Sequence, residues 1–376
     1  MKEGLRNNLK QTRMRLGLSQ QDLATMAGVS RQTISSAESG QTALSIAAAL
    51  RLAKALGCSV EDLFWLDREA MTLEAVAAQP LPGAGPLRVS LAKIGGRWIA
   101  YPLVGSAAFR AELLPADGEA RVAPTGDRLT VTLLDELSNL LKTVVVAGCS
   151  PSFSLWARAA ERWHPELRVQ LVFANSAIAL QRLAHGEAHI AGVHLYCPQT
   201  QTFNVPFVQQ ALLGQTAVLI NLGVWEEGLL VAPGNPKAIR GIADLARPEI
   251  TLINREPGAG SRDLLEQMLA AADLSAATIS GFERLAPSHQ AVAEAILAGA
   301  ADVGVSAAAV ANTYQLEFLP LRRSQYDLVT LKPYLEEDSV QQLLGTLGHP
   351  RVLSQLEILG GYDTRCTGEV VATVVS

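Results

Sequence analysis

Apolar residues follow three different rhythms along the 376 residues of the chain. Over the first 66 residues the rhythm is helical. Leu5, Leu9, Met14 and Leu16 predict one helix ended by Gly17, and Leu23, Ala24 and Ala27 a second, capped by Ser19 and closed at Gly28. Ile34 and Ala37 predict a third, RQTISSAES, capped by Ser30 and stopped at Gly40. A fourth helix is expected from about Leu44 to Leu56 and a fifth from about Val60 to Leu66, with Gly57 between them. Asp67 to Ala78 is expected to continue as a helix with Leu73 and Val76 on one side, until QPLPGAGP breaks every period between Gln79 and Pro86. The rhythm then changes to two: Leu87, Val89 and Leu91, next Trp98 to Leu103, next Leu129, Val131 and Leu133 predict the short strands of a small β-rich subdomain, roughly Pro86 to Leu141. From Thr143 onward apolar runs alternate with small-residue turns and helical patterns. TVVVAG leads through CSPS into FSLWARAAERW, LRVQLVF through ANS into AIALQRLAHG, and ITLINR through EPGAGS into RDLLEQMLAAADL. Repetition of this kind predicts parallel strands with helices on both faces. The expected organisation is an all-α domain at 1–66, a linker helix with a β-rich subdomain at 67–142, and an α/β body at 143–376.

Composition removes several function classes. Hydrophobic residues make up 49% and charged residues 18%, too apolar a balance for a disordered chain. The four cysteines include no C-x-x-C pair, which excludes a disulfide scaffold and a zinc finger. The polar N-terminus and the absence of a long uncharged apolar run predict a cytoplasmic protein with no membrane partner. The net charge of -5 is unevenly spread: Met1 to Leu66 carries eight basic and five acidic residues, and the remaining 310 residues carry 23 basic and 31 acidic. A basic head on an acidic body fits a DNA-binding module fused to another module.

The second and third helices, joined by a short turn containing Gly28, have the form of a helix-turn-helix. The exposed positions of the third, Arg31, Gln32, Thr33, Ser35 and Ser36, are hydrogen-bonding and carry one charge among them, whereas a solvated face is normally rich in Lys and Glu. Arg and Gln pair bidentately with guanine and adenine edges in the major groove. LSQQDLATMAGVSRQTISSAESG resembles the XRE family, the Cro and phage-repressor type of helix-turn-helix, and the likeness extends through CSVEDLF. The resemblance implies that Gln20 meets phosphate and a base edge, that Arg31, Gln32 and Ser36 face bases, that Thr33 and Ser35 touch the backbone, and that Glu38 ties the third helix to its surroundings. QTALSI departs from the family, which often has a proline there.

The strand-to-helix junctions of the body share one chemistry: Cys149, Ser150 and Ser152; Asn175 and Ser176; Gly258, Gly260 and Ser261; and Ser306. In open α/β sheets ligands sit outside the carboxyl ends of the strands, where helix N-termini offer unpaired N–H groups to an anion. GLLVAPGNPKAIRGIADLA, NREPGAGSRDLLEQM, SHQAVAEAILAGAADVGVS and SQYDLV, in that order, are similar to the PBP-like domain family, intracellular relatives of type II periplasmic binding proteins, over roughly Thr143 to Ser376. The resemblance implies two α/β lobes joined by two crossovers, with ligand between them. Its GSGTR-type segment falls on Gly258, Ala259, Gly260, Ser261 and Arg262, its glycine-serine turn on Asn175 and Ser176, and its HL-Asp segment on His194, Leu195, Tyr196 and Cys197, where cysteine replaces the acid. Phe203 stands where the family has tyrosine, and Tyr326 of SQYDLV joins the ligand-side candidates. Related domains are associated with molybdate or tungstate, which makes that class of oxyanion the first expectation.

The six histidines show no HExxH and no finger spacing, and no His and Asp partner for Cys149 is visible in the sequence, so neither a metal nor a catalytic residue is expected. The resulting expectation is a non-enzymatic, one-component regulator. It binds a double-stranded DNA operator as a homodimer and senses a small-molecule effector, with no covalent cofactor. The alternatives are a sensor of another small anion or organic metabolite, an α/β enzyme localised by its DNA-binding head, and a dimerisation scaffold.

Overall fold

The computed structural model describes residues 5–40, 44–66, 71–81, 83, 85–109, 113–123 and 128–375. They fall into two compact units, Met1–Met71 and Thr72–Ser376.

The first unit holds β1 (Leu5–Asn7), α1 (Leu9–Arg15), α2 (Gln20–Ala27), α3 (Arg31–Glu38), α4 (Ile46–Leu56) and β2 (Phe64–Leu66). Caps set the helix boundaries. Ser19 and Asp22 form a reciprocal capping box at α2, Ser30 accepts the Thr33 N–H at α3, and Ser45 accepts that of Ala48 at α4. Gly28 and Gly57 close α2 and α4 in the left-handed conformation, at φ 62° and 70°. Leu9, Leu23, Ile34, Leu52 and Leu63 fill the core. Two expectations are corrected here. Leu5–Asn7 is a strand, paired antiparallel with Phe64–Leu66, which stands where a fifth helix was predicted. Asn7 delays the helix: its Oδ1 accepts the Leu9 N–H at 3.2 Å while its Nδ2 donates to the Ala37 carbonyl at 2.9 Å. Gln41 to Ala43, within the unusual QTALSI segment, lie outside the described residues.

The second unit opens with a closed barrel of β3 (Thr72–Ala77), β4 (Leu87–Ile94), β5 (Arg97–Pro102), β6 (Gly118–Val122) and β7 (Leu129–Leu133), in the order β3-β5-β4-β6-β7. Thr72–Ala77 is therefore a strand, where a linker helix was expected. Leu73, Ala75 and Ala77 face the barrel core with a period of two, and Val76, which the helical reading placed beside Leu73, is exposed. Asp67 to Ala70 of that expected helix, and Pro82 and Ala84 of the linker, lie outside the described residues. The barrel is more than a spacer: Ile94, Ile99 and Tyr101 share a core with Val145, Leu180 and Leu183 of the body. The Tyr101 hydroxyl donates to the Glu187 carbonyl at 2.7 Å, and Arg168 of the body pairs with Asp117 at 2.5 Å.

After α5 (Leu137–Leu140), a first lobe is built from β8 (Thr143–Gly148), α6 (Phe153–Trp163), β9 (Arg168–Phe173), α7 (Ser176–Ala184) and β10 (Ile190–Val193). The hairpin β11 (Tyr196–Cys197) and β12 (Thr202–Phe203) and helix α8 (Val205–Ala211) follow. β13 (Thr216–Val231) then runs into a second lobe of β14 (Leu252–Arg255), α9 (Gly260–Ala271), β15 (Leu285–Ala286), α10 (His289–Leu297), β16 (Val303–Ala307) and α11 (Ala308–Tyr314), and β17 (Glu317–Leu331) returns. The chain closes with α12 (Asp338–Gly345), α13 (Pro350–Ile358), β18 (Tyr362–Asp363) and β19 (Val370–Val375). One sheet runs through both lobes in the order β15-β14-β16-β13-β17-β10-β8-β9. Its two outer groups are parallel, and the long β13 and β17 form the antiparallel centre, with a register shift at Asn221/Gly223. Apolar runs such as VVVA and VGVSA are buried on both faces, as parallel strands between helices require. These two long strands are the crossovers between lobes. No described helix is long and apolar enough to cross a membrane.

Candidate functional site

On α3 the apolar Ile34 and Ala37 turn inward, while Arg31, Gln32 and Ser35 are exposed and Thr33 and Ser36 half-buried. Gln32, Thr33 and Ser36 line a shallow concavity together with Ser45 and Arg51 from the start and middle of the α4 segment. Thr33 shares its hydroxyl with Ser30 at 2.8 Å and so belongs to the helix cap as well. Gln20 donates its side-chain amide to Glu38 at 2.9 Å. Glu38 in turn accepts both Nε and Nη2 of Arg13, at 2.6 and 3.1 Å. This three-way contact ties α1, α2 and α3 together and fixes the angle at which α3 is presented.

In the body, the carboxyl ends of β8, β10 and β16 and the start of α10 bring their side chains to one place between the lobes. The Cys149 sulfur lies 3.5 Å from Nε2 of His194, 3.8 Å from Nε2 of His289 and 3.9 Å from the Tyr326 hydroxyl. Nδ1 of His194 is 3.5 Å from the Glu227 carboxylate, whose other oxygen accepts the Ser261 hydroxyl at 2.6 Å. Nδ1 of His289 is 3.1 Å from the Ser306 hydroxyl. Every one of these side chains is buried. Trp225 packs edge-on against His194, His289 and Tyr326, at 4.9, 5.2 and 4.9 Å between ring centres, and His194 stacks on Tyr326 at 5.3 Å. Gly192 makes this possible, since a Cβ there would meet Phe153 and the Tyr326 hydroxyl at 2.5 and 2.7 Å.

Opposed charges keep the cluster ionised despite its burial. Burial acts against a charged His194, yet the carboxylate of Glu227 and the sulfur of Cys149 outweigh it and raise the imidazole to about 10. Burial likewise opposes ionisation of Glu227, and His194, helped by hydrogen bonds, brings it down to about 2. The Cys149 thiol falls well below its ordinary range because His194 and His289 overcome the desolvation. His289 is lowered, by burial first and by the charge of Arg255 next. Arg255 is itself buried and pairs through Nε and Nη2 with Glu256, both at 2.9 Å. Its Nη1, and Nε1 of Trp225, are buried donors without a hydrogen-bond partner among the described residues.

Of the residues singled out in the sequence, Cys149, His194 and Tyr326 meet directly, and Ser306 holds His289. Ser150 and Ser152 share a hydrogen bond at 2.8 Å beside Tyr362. The remaining junctions hold the His194 backbone and brace the lobes against each other. Ser176 accepts the His194 N–H at 3.2 Å, Asn175 caps α7 and donates to the Pro257 carbonyl at 3.1 Å, and the Ala177 N–H reaches the Gly258 carbonyl at 3.2 Å. Gly260 lies so close to His194 that a Cβ would meet its carbonyl oxygen at 2.3 Å. Arg262 is turned to Glu266 at 2.8 Å and lies over the Phe282 ring. Cys197 lies apart on the β11–β12 hairpin. Sequence reasoning missed Glu227, His289, Trp225 and Arg255. The signal for Glu227 was a charged residue inside the apolar run LGVWEEGLLV, and for His289 its position just after the Ser288 cap of α10. The expectation that Cys149 lacks a histidine–carboxylate partner is corrected by the Cys149–His194–Glu227 line. Among the described residues, Cys149, His194 and His289 also place three potential ligand atoms within 4.8 Å of one another, a grouping their sequence spacing did not suggest.

Comparison with known proteins identifies both units. Residues 157–348 match the PBP superfamily domain. The chain belongs to that PBP superfamily family. Residues 9–63 of this PBP-family chain match a helix-turn-helix family, and the first unit is an XRE-type helix-turn-helix domain. YvgK of Bacillus subtilis is 32% identical over 228 residues, 61% of this chain and 73% of that protein. The HTH-type transcriptional regulator YgzD of Bacillus subtilis is 40% identical over 65 residues, 17% of this chain and 98% of that protein. Among solved structures, the regulatory domain of CcmR from Synechocystis PCC6803 in complex with 2-PG aligns over 57% of this chain and 97% of its own, at 13% identity and a TM-score of 0.43. The chain is thus an HTH regulator carrying a PBP-like ligand-binding domain.

Proposed function

We propose that this chain is a one-component transcription regulator that binds its operator as a homodimer and senses a small oxyanion between the lobes of its PBP-like domain, with molybdate and tungstate the first members of that class to test. The observation that carries the oxyanion reading is that Nη1 of Arg255 and Nε1 of Trp225 are two of the buried donors with no partner among the described residues. Buried donors without partners are rare in folded proteins, and a guanidinium matches oxyanion geometry. Coupling to DNA requires that the ligand bind two arrangements of the domain with different affinity. The homodimer reading rests on the use of paired half-sites by helix-turn-helix proteins.

Calorimetry of the full chain against molybdate, tungstate, phosphate, sulfate and small carboxylates tests the sensor half. One of these oxyanions is expected to bind, and Arg255→Lys to weaken it at least about tenfold by removing the planar fork. A panel with no binding member would sink the reading. For the DNA half, Gln32→Ala weakens operator binding in a gel shift by about 1 to 3 kcal/mol and relaxes preference at one base position. Unchanged binding would refute the assigned contact.

A second reading, catalysis, has one observation in its favour. Cys149, His194 and Glu227 stand in the order of nucleophile, base and orienting carboxylate. Turnover of an ester or thioester by the purified chain, lost in Cys149→Ala, would establish it, and its absence leaves the chain a binding protein.

A further inference from the structure

We propose that Cys149, His194 and His289 bind a divalent transition-metal ion of the zinc class, and that this ion joins the two lobes. The three ligand atoms are those such ions prefer, a sulfur and two imidazole nitrogens. The two separations from sulfur fit one ion. With a metal–sulfur bond of about 2.3 Å and a metal–nitrogen bond of about 2.0 to 2.1 Å, tetrahedral angles put sulfur and nitrogen roughly 3.6 Å apart. The observed separations from sulfur are 3.5 Å to His194 and 3.8 Å to His289. The Tyr326 hydroxyl, 3.9 Å from the same sulfur, supplies a further oxygen.

The surroundings of each imidazole support the same reading. A histidine that binds a metal through Nε2 is normally oriented by an acceptor at Nδ1. His289 has Ser306 at 3.1 Å in that place, and His194 has the Glu227 carboxylate 3.5 Å away as an ion-pair contact. Both Nε2 atoms face the sulfur. Charge balances as well, since the thiolate of Cys149 and the carboxylate of Glu227 together offset a divalent ion, which takes the place of the proton between the Cys149 sulfur and Nε2 of His194. Trp225, Tyr326 and Phe153 wall the cluster with aromatic rings, which lowers the local dielectric and strengthens the bonds. Cys149 and His194 come from the first lobe and His289 from the second, so the ion would clamp the lobes together. Its regulatory meaning rests on the sensor reading above. Its existence does not.

The test is a cobalt titration of the full chain after treatment with a chelator, followed by absorption. One equivalent of Co(II) is expected to produce a thiolate-to-cobalt charge-transfer band with the intense visible bands of tetrahedral cobalt, and Zn(II) to displace them. Cys149→Ser abolishes the charge-transfer band. His289→Gln weakens cobalt binding at least about tenfold. A variant with Cys58, Cys197 and Cys366 all changed to Ser keeps every band, because those thiols lie outside the cluster. If Cys149→Ser fails to fold, the triple variant and His289→Gln decide the matter. No charge-transfer band, or a band lost in the triple variant, overturns the proposal. Oxyanion binding by the metal-free chain together with a missing band removes the metal site and leaves the oxyanion reading standing. A band without any oxyanion binding does the opposite and makes the metal ion the effector.

Discussion

Glu227→Ala lowers the stability of the Thr72–Ser376 unit by about 3 to 5 kcal/mol, because it leaves a buried charge without its partner. Glu227 is fully buried in the second half of β13, where it faces His194 and accepts the Ser261 hydroxyl. Removal of the carboxylate strands both donors in a place water does not reach. The measurement is denaturant unfolding of the metal-free full chain, read by tryptophan fluorescence, because Trp225 packs against His194. Glu227→Gln keeps an acceptor for Ser261 and costs less. On a His194→Ala background the cost of Glu227→Ala shrinks, since there is no imidazolium left to strand. A loss below about 1 kcal/mol in the single variant would show that His194 is uncharged in the folded chain, and the ionised pair would have to be given up.

Glu38→Ala destabilises the helix-turn-helix unit by about 3 kcal/mol, the lower end of what breaking a covered ion pair costs. The lower end applies because the pair lies just beneath the surface of a small unit, with side-chain exposures of 10% and 5% for Arg13 and Glu38. Burial opposes ionisation of Glu38, yet the hydrogen bonds from Arg13 and Gln20 and the charge of Arg13 hold its carboxyl below the ordinary range. Without it, Arg13 and Gln20 lose their acceptor together, and α3 loses its ties to α1 and α2. Melting of the full chain followed by circular dichroism is expected to show an earlier helical transition. Operator binding falls in parallel, although Glu38 is a brace and Gln32 the reader. Glu38→Gln, which preserves hydrogen-bonding oxygens, recovers part of the loss. A melting curve identical to that of the parent chain would mean that the pair is only a surface contact.

These two residues were legible to different degrees. Glu38 belongs to a local motif, and its structural role was what the resemblance of that motif to the XRE family implied. Glu227 sits 33 residues after His194 and 34 before Ser261, and no local pattern joins them. The helical unit was largely readable because capping serines, closing glycines and a helical apolar period are local signals. Its failures came at Leu5–Asn7 and Phe64–Leu66, three-residue strands that pair with each other across 57 to 61 residues of chain. The same holds for Thr72–Ala77, whose residues suit a helix or a strand until the barrel supplies partners on both sides.

By itself the sequence determined the two kinds of module, their order, and the small-residue junctions that end the parallel strands, because periodicity, caps and turn residues act over a few positions. Only the tertiary structure decided what those junctions do. It spends Asn175, Gly258, Gly260 and Ser261 on joining the lobes, uses Ser176 to hold the His194 backbone, and gathers Cys149, His194, His289 and Glu227 from four separate segments into one buried cluster. The physical reason is that charge and coordination depend on distance in space: an imidazole 45 residues from a sulfur in sequence acts on it only once the sheet brings them to 3.5 Å.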